Sequence, residues 1–147
     1  MRSGGLGRVL ASTSDRWKVG DLVSGLVGWA EFVVLGDKEV TPVPEGLTSP
    51  TLALSLLGGT GFTAWFGLTE VGLIREGSPE GKTVVISGAA GATGSTAVQL
   101  AKHVFGVKRV VGIAGGKDKC DWVKSLGADD CVDCMSCFPD AFQQWRG

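Results

Sequence analysis

Residues 84–102 read VVISGAAGATGSTAVQLAK. A β-branched run stops at a stretch of Gly, Ala, Ser and Thr, and an amphipathic segment follows. Thr83–Ser87 (TVVIS) has the continuous apolar character of a parallel strand buried on both faces. Gly94–Val104 is the expected helix, with Val98 and Ala101 on its apolar side and Lys102 on its polar side. Between them stands Ala89-x-Gly91-x-x-Gly94, the context that a dinucleotide-binding turn requires, with Ala89 where the first Gly usually sits. Gly91 would let the backbone approach a pyrophosphate, and Gly94 would let the helix pack tightly on the strand. The helix N-terminus would add free N–H groups and partial positive charge, and Thr93 and Ser95 hydroxyl donors.

The alternation continues downstream. Arg109–Ile113 (RVVGI) predicts a second strand, Lys117–Leu126 a second helix with Gly127 at its C′ position, and Cys131–Cys134 a short third strand. Phe138–Trp145 is a candidate last helix. The order β-α-β-α-β with short connections predicts one parallel sheet of Rossmann-like, α/β type. An NAD site carries an acid about 20 residues past the fingerprint, on the ribose 2′-OH. Residues 109–116 contain no acid, Gly115 and Gly116 leave room, and Lys117 and Lys119 follow. Space and cations suit a 2′-phosphate, so the residues favour NADP(H). The alternative is an ordinary solvated helix start.

Upstream the texture is different. VGDLVSGLVGWAEFVVL (19–35) reads as short twisted strands joined by tight turns. Residues 41–50, with three prolines, read as a connector, residues 51–57 as a buried helix ended by Gly58–Gly59, and Phe62–Val71 as further helix. The expected division is a β-type domain over 1–50 and a nucleotide-binding domain over 51–147.

The chain has 147 residues, 44% hydrophobic and 20% charged, which is a globular composition. A net charge of −1 argues against a protein built to hold nucleic acid or an acidic membrane. No apolar run approaches the ~20 residues that span a bilayer. The start (MRSGGLGRVLASTSDRW) has three Arg and one acid, as in an ordinary polar terminus or a transit peptide; cytoplasm is the default location. Cys131, Cys134 and Cys137 form C-x2-C-x2-C, and a closed zinc site would need Cys120 or His103 as fourth ligand. The bland reading is a small buried thiol in a strand, and no metal is expected. There is no P-loop lysine, no G-x-S-x-G elbow and no tyrosine, which excludes the usual nucleotide-hydrolase, serine-hydrolase and short-chain dehydrogenase patterns.

Four stretches, in order, resemble the zinc-independent medium-chain dehydrogenases/reductases, in particular the NADP(H)-dependent alkenal double-bond (prostaglandin) reductase group. VGDLVSGLVGWAEFVVL is similar to the end of that family's GroES-like domain. LGGTGFTAWFGL (57–68) is similar to its G-x-T-A-x-x-G-L helix, residues 84–102 to its phosphate-binding turn, and VVGIAGGKDKCDWVKSLGADD (110–130) to its second strand and NADP-selecting loop. The resemblance covers residues 17–134. It implies a partial Rossmann domain preceded by a fragment of a GroES-like domain, since family members have roughly twice to two and a half times this length. It implies that Gly91, Ala92, Thr93 and Gly94 wrap the pyrophosphate of NADP, that Lys119 meets the 2′-phosphate, and that Thr63 lies on the nicotinamide side. Cys134 stands where the family often has a phosphate-binding Tyr.

The implied reaction is hydride transfer from NADPH to the C=C bond of an α,β-unsaturated aldehyde or ketone, with a small enone or quinone as substrate. No catalytic residue is assigned, because the resemblance places that part of the site, and the edge through which the family homodimerises, beyond this chain. Two other readings stay open: a nucleotide-binding remnant without catalysis, and a small metal or redox protein built on the cysteines.

Overall fold

A computed structural model of the chain describes residues 3–75 and 82–137. The chain divides into two units, Met1–Gly59 and Thr60–Gly147.

In the first unit, β1 (Gly4–Arg8), β2 (Leu22–Leu26) and β3 (Val40–Pro42) form an antiparallel sheet in that order. β1 runs from Gly4 opposite Leu26 to Arg8 opposite Leu22, and β2 pairs Gly25 with Val40. A small core of Trp17, Val23 and Val40 lies on it, with Val9 and Leu35 packed alongside. The Trp17 indole N–H donates to the Asp37 carbonyl at 3.1 Å, so its one polar atom is satisfied. The strand β1 lies in the N-terminal stretch, which carries no strand signal in its sequence. Its GGLGR sequence has poor strand propensity, and pairing with β2 overrides it. The buried helix expected over residues 51–57 is corrected. Only Pro50–Ala53 forms a helical turn, of 3-10 type, and none of its residues is buried. Proline favours the first helical position, but four residues give no face to bury.

The second unit opens with α1 (Gly59–Phe66), which runs on through a π-helical turn over Gly67–Val71. Gly59 therefore starts this helix instead of ending the one before it. Then come β4 (Thr83–Ser87), α2 (Ala92–Gln99, extended by a π-helical turn to Val104), β5 (Arg109–Ala114), α3 (Lys117–Ser125), β6 (Asp130–Asp133) and the single turn α4 (Cys134–Cys137). The three strands form a parallel sheet ordered β4-β5-β6, with Ile86 beside Gly112 and Gly112 beside Cys131. This is the β-α-β-α-β unit the sequence predicts. Gly127 ends α3 at φ +113°, a left-handed conformation that fits its expected C′ position. The predicted helix over Phe138–Trp145 lies outside the described residues.

One core joins helices and sheet: Ile86, Ala89, Val98, Ala101, Val110, Val123 and their neighbours. Val98, Val110 and Val123 are fully buried. The Lys102 ammonium bonds Asp129 Oδ1 at 2.6 Å, and the Val110 N–H donates to Asp129 Oδ2 at 2.7 Å. One carboxylate thus ties the helix after β4 to the beginning of β5. In the middle of the sheet, a Cβ on Gly112 would lie 2.6 Å from Val123 Cγ1 and 3.0 Å from Ala89 Cβ. The absent side chain lets α3 and the β4–α2 turn close over the strand.

Candidate functional site

The parallel pairing carries the ends of β4 and β5 to one edge of the sheet, and the Ala89 N–H donates to the Ile113 carbonyl at 3.0 Å. The turn after β4 is tight. The Gly91 N–H bonds the Gly88 carbonyl at 2.8 Å, and α2 starts at Ala92 with Gly91 as its extended N-cap. A Cβ on Gly94 would lie 2.3 Å from the Gly88 oxygen and 2.8 Å from Ala89 Cα. Both are backbone atoms, which cannot rotate aside, so Gly94 sets how closely the helix stands on the turn. On Gly91 the same construction meets the Gly88 oxygen at 3.2 Å.

Gly91, Ala92 and Thr93 are exposed and Gly94 is buried. No side chain caps α2. The N–H groups of Ala92, Thr93 and Gly94 belong to the first turn, which has no intrahelical acceptors for them, so they are available to an anion. Ser95 does not add to this set as expected. Its hydroxyl turns back to the Ala92 carbonyl at 3.1 Å, as does that of Thr96 at 2.9 Å. An open cleft of about 500 Å³ lies in front of the turn, lined by Thr63, Gly67 and Leu68 from α1, Ile86 and Ser87 from β4, and Gly91–Gly94. Its size is that of an ordinary cofactor or ligand site. Thr63 thus shares one cleft with the Gly-rich turn.

The turn after β5 is held by a residue that the sequence reading missed. Asp133, the last residue of β6, accepts the Gly116 N–H at 2.8 Å and the Met135 N–H at 2.9 Å through Oδ1. These bonds, the Gly116 one first, hold its carboxyl below the usual carboxylate range. They also end the strand at Asp133, so Cys134, expected in the third strand, opens α4 instead. An acid straight after three strand residues was the available signal. It lacked force because its acceptor role depends on which turn the parallel register brings beside it.

Lys117 and Lys119 sit in the first turn of α3. Lys117 is paired with Asp121, whose hydrogen bond and charge raise the lysine's pKa. Lys119 is exposed and has no hydrogen-bonding or ionic partner among the described residues. It is the cation of this turn that is left for an outside anion. The cysteine cluster is dispersed among the described residues: Cys131 faces Cys120, Cys134 lies beside Gly115, and no group of three or more potential ligands is placed to hold a metal ion. The side chain of Cys137 lies outside the described set.

The chain is 35% identical over 134 residues to NADPH-dependent curcumin reductase of Escherichia coli, a match spanning 90% of this chain and 37% of that protein. It is 40% identical over 126 residues to prostaglandin reductase 1 of Oryctolagus cuniculus, spanning 83% of this chain and 34% of that one. Among solved structures, CurA from Vibrio vulnificus in complex with NADPH matches with a TM-score of 0.80 and 36% identity, over 98% of this chain and 41% of that chain. No family model matches. The chain spans a little over a third of the length of the curated relatives it matches. No helix among the described residues is long and apolar enough to cross a membrane.

Proposed function

We propose that this chain, which belongs to the NADP-dependent medium-chain dehydrogenases/reductases, binds NADP(H) and serves reduction of the C=C bond of α,β-unsaturated aldehydes and ketones. The observation that carries the reading is the β4–α2 turn. Its three N–H groups have no intrahelical acceptors, and a cleft of cofactor size opens in front of it. In this reading the backbone of Gly91, Ala92, Thr93 and Gly94 cradles the pyrophosphate, with the α2 dipole behind it. Lys119 neutralises the adenosine 2′-phosphate and so selects NADP(H) over NAD(H). Asp133 holds the Gly115–Gly116 turn on which α3 begins. When bound, the cofactor supplies the hydride; the chain orients it and screens its phosphates. The NADPH complex of CurA and the reductase names of the relatives support this assignment. The substrate would be a small enone or quinone, the whole protein a cytoplasmic homodimer.

The test is a titration of the purified chain with NADPH and NADH, repeated on Lys119→Ala. Tighter binding of NADPH is expected. The variant should lose about tenfold of it, the worth of one charge-assisted bond of roughly 1.5 kcal/mol, while NADH binding stays the same. A folded chain that binds neither cofactor, or a variant that keeps its NADPH preference, would refute the assignment.

A further inference from the structure

Helix α3 and strand β6 meet at two sulfurs. Cys120 is buried in the first turn of α3 and Cys131 is half-buried in β6. Both are free thiols, and their Sγ atoms lie 3.0 Å apart. That is only about 1 Å longer than the ~2.05 Å bond of a disulfide. Each sulfur rides on an anchored backbone. The Cys120 N–H donates to the Gly116 carbonyl at 3.1 Å, and Cys131 is held in register beside Gly112. The missing side chain of Gly112 makes the space for the pair, since a Cβ there would lie 3.3 Å from Cys131 Sγ.

We propose that Cys120 and Cys131 form an oxidation site, closing under a peroxide to a disulfide that staples α3 to β6. Cys131, the more accessible, attacks the peroxide. The O–O bond breaks, Cys131 becomes a sulfenic acid and one water leaves. The Cys120 sulfur then attacks the Cys131 sulfur, the S–S bond forms, and the hydroxyl leaves as a second water with the Cys120 proton. Two thiols give up two electrons and two protons, and the peroxide is reduced to two waters. Burial, with the Cys120 sulfur, pushes the Cys131 thiol up to about 12. Little Cys131 thiolate is therefore present near neutral pH, and the attack on peroxide is the slow step.

The experiment exposes the full chain to hydrogen peroxide, blocks the remaining thiols and maps the peptides by mass spectrometry. The expected product is one cross-link between Cys120 and Cys131, lighter by two hydrogens and reversed by dithiothreitol. Tm should rise on the order of 10 °C, because the loop closed is short but the unit is small. Cys134→Ser should keep both the link and the rise, and Cys131→Ala should lose both. A link through Cys134, or Cys120 and Cys131 recovered unlinked from a folded, oxidised chain, would overturn the proposal. Should Cys131→Ala fail to fold, the maps of the unsubstituted chain and of Cys134→Ser decide it.

Discussion

Replacing Gly94 by alanine adds one carbon at the closest approach in the candidate site. The new Cβ would stand 2.3 Å from the Gly88 oxygen, where ordinary contact begins at 3.4 Å. Helix α2 must therefore retreat by about 1 Å, because the obstacle is backbone and the helix is packed through Val98 behind it. Overpacking of this kind costs about 3 kcal/mol at its upper end, against ~1 kcal/mol gained in helix propensity. The net loss of about 2 kcal/mol should lower Tm on the order of 10 °C for a unit of this size. The same retreat carries the N–H groups of Ala92, Thr93 and Gly94 away from a bound pyrophosphate. Losing one charge-assisted bond of roughly 1.5–3 kcal/mol weakens NADPH binding 10- to 100-fold. Melting followed by circular dichroism reads the first effect and fluorescence titration with NADPH the second. Gly91→Ala is the graded control, since its Cβ would meet the same oxygen at 3.2 Å. A Gly94→Ala chain with unchanged Tm and unchanged affinity would refute both the packing and the site assignment.

Core and surface valines should separate cleanly. Val123→Ala removes fully buried methyl groups and should cost about 2 kcal/mol, whereas Val85→Thr, at a position 60% exposed, should stay within ~0.5 kcal/mol in urea melts. Acid should destabilise the fold through three carboxylates held below their ordinary range: Asp129 by Lys102 and the Val110 N–H, Asp130 by the Cys131 N–H and Lys124, and Asp133 by the Gly116 and Met135 N–H groups. Their folded pKa values lie under the unfolded ones, so the unfolded chain binds more protons in acid. Their contribution is complete above the unfolded value near ~3.9 and is lost as pH falls through the lowered values. Asp133→Asn, which keeps an acceptor for Gly116, should make that loss shallower in melts between neutral pH and pH ~3; an unchanged profile would contradict the assignment.

How much of this was legible beforehand depended on whether the cause was local. TVVIS, the spaced glycines and Gly127 each report on their own neighbourhood, and the structure has a strand, a close-packed turn and a left-handed cap at those places. The expected burial of TVVIS on both faces is not there: only Ile86 is buried and Val85 is exposed. The strand β1 was hidden because GGLGR gives no propensity signal of its own, and only β2 makes it a strand. The Ser95 hydroxyl was assigned outward on residue type, while a helical serine readily bonds the carbonyl one turn back. The role of Asp133 and the meeting of Cys120 with Cys131 both depend on the β5–β6 register, which joins residues far apart in the chain.

Gly112 has a consequence for anyone who alters this chain. Strand propensity ranks valine high and glycine low, so a redesign guided by that ranking would choose this position among the first to change. In the fold the ranking inverts. Every added carbon presses at once on Ala89 in the β4–α2 turn, Val123 in α3 and the sulfur of Cys131. The emptiest position in the central strand is thus the one with the least tolerance for improvement.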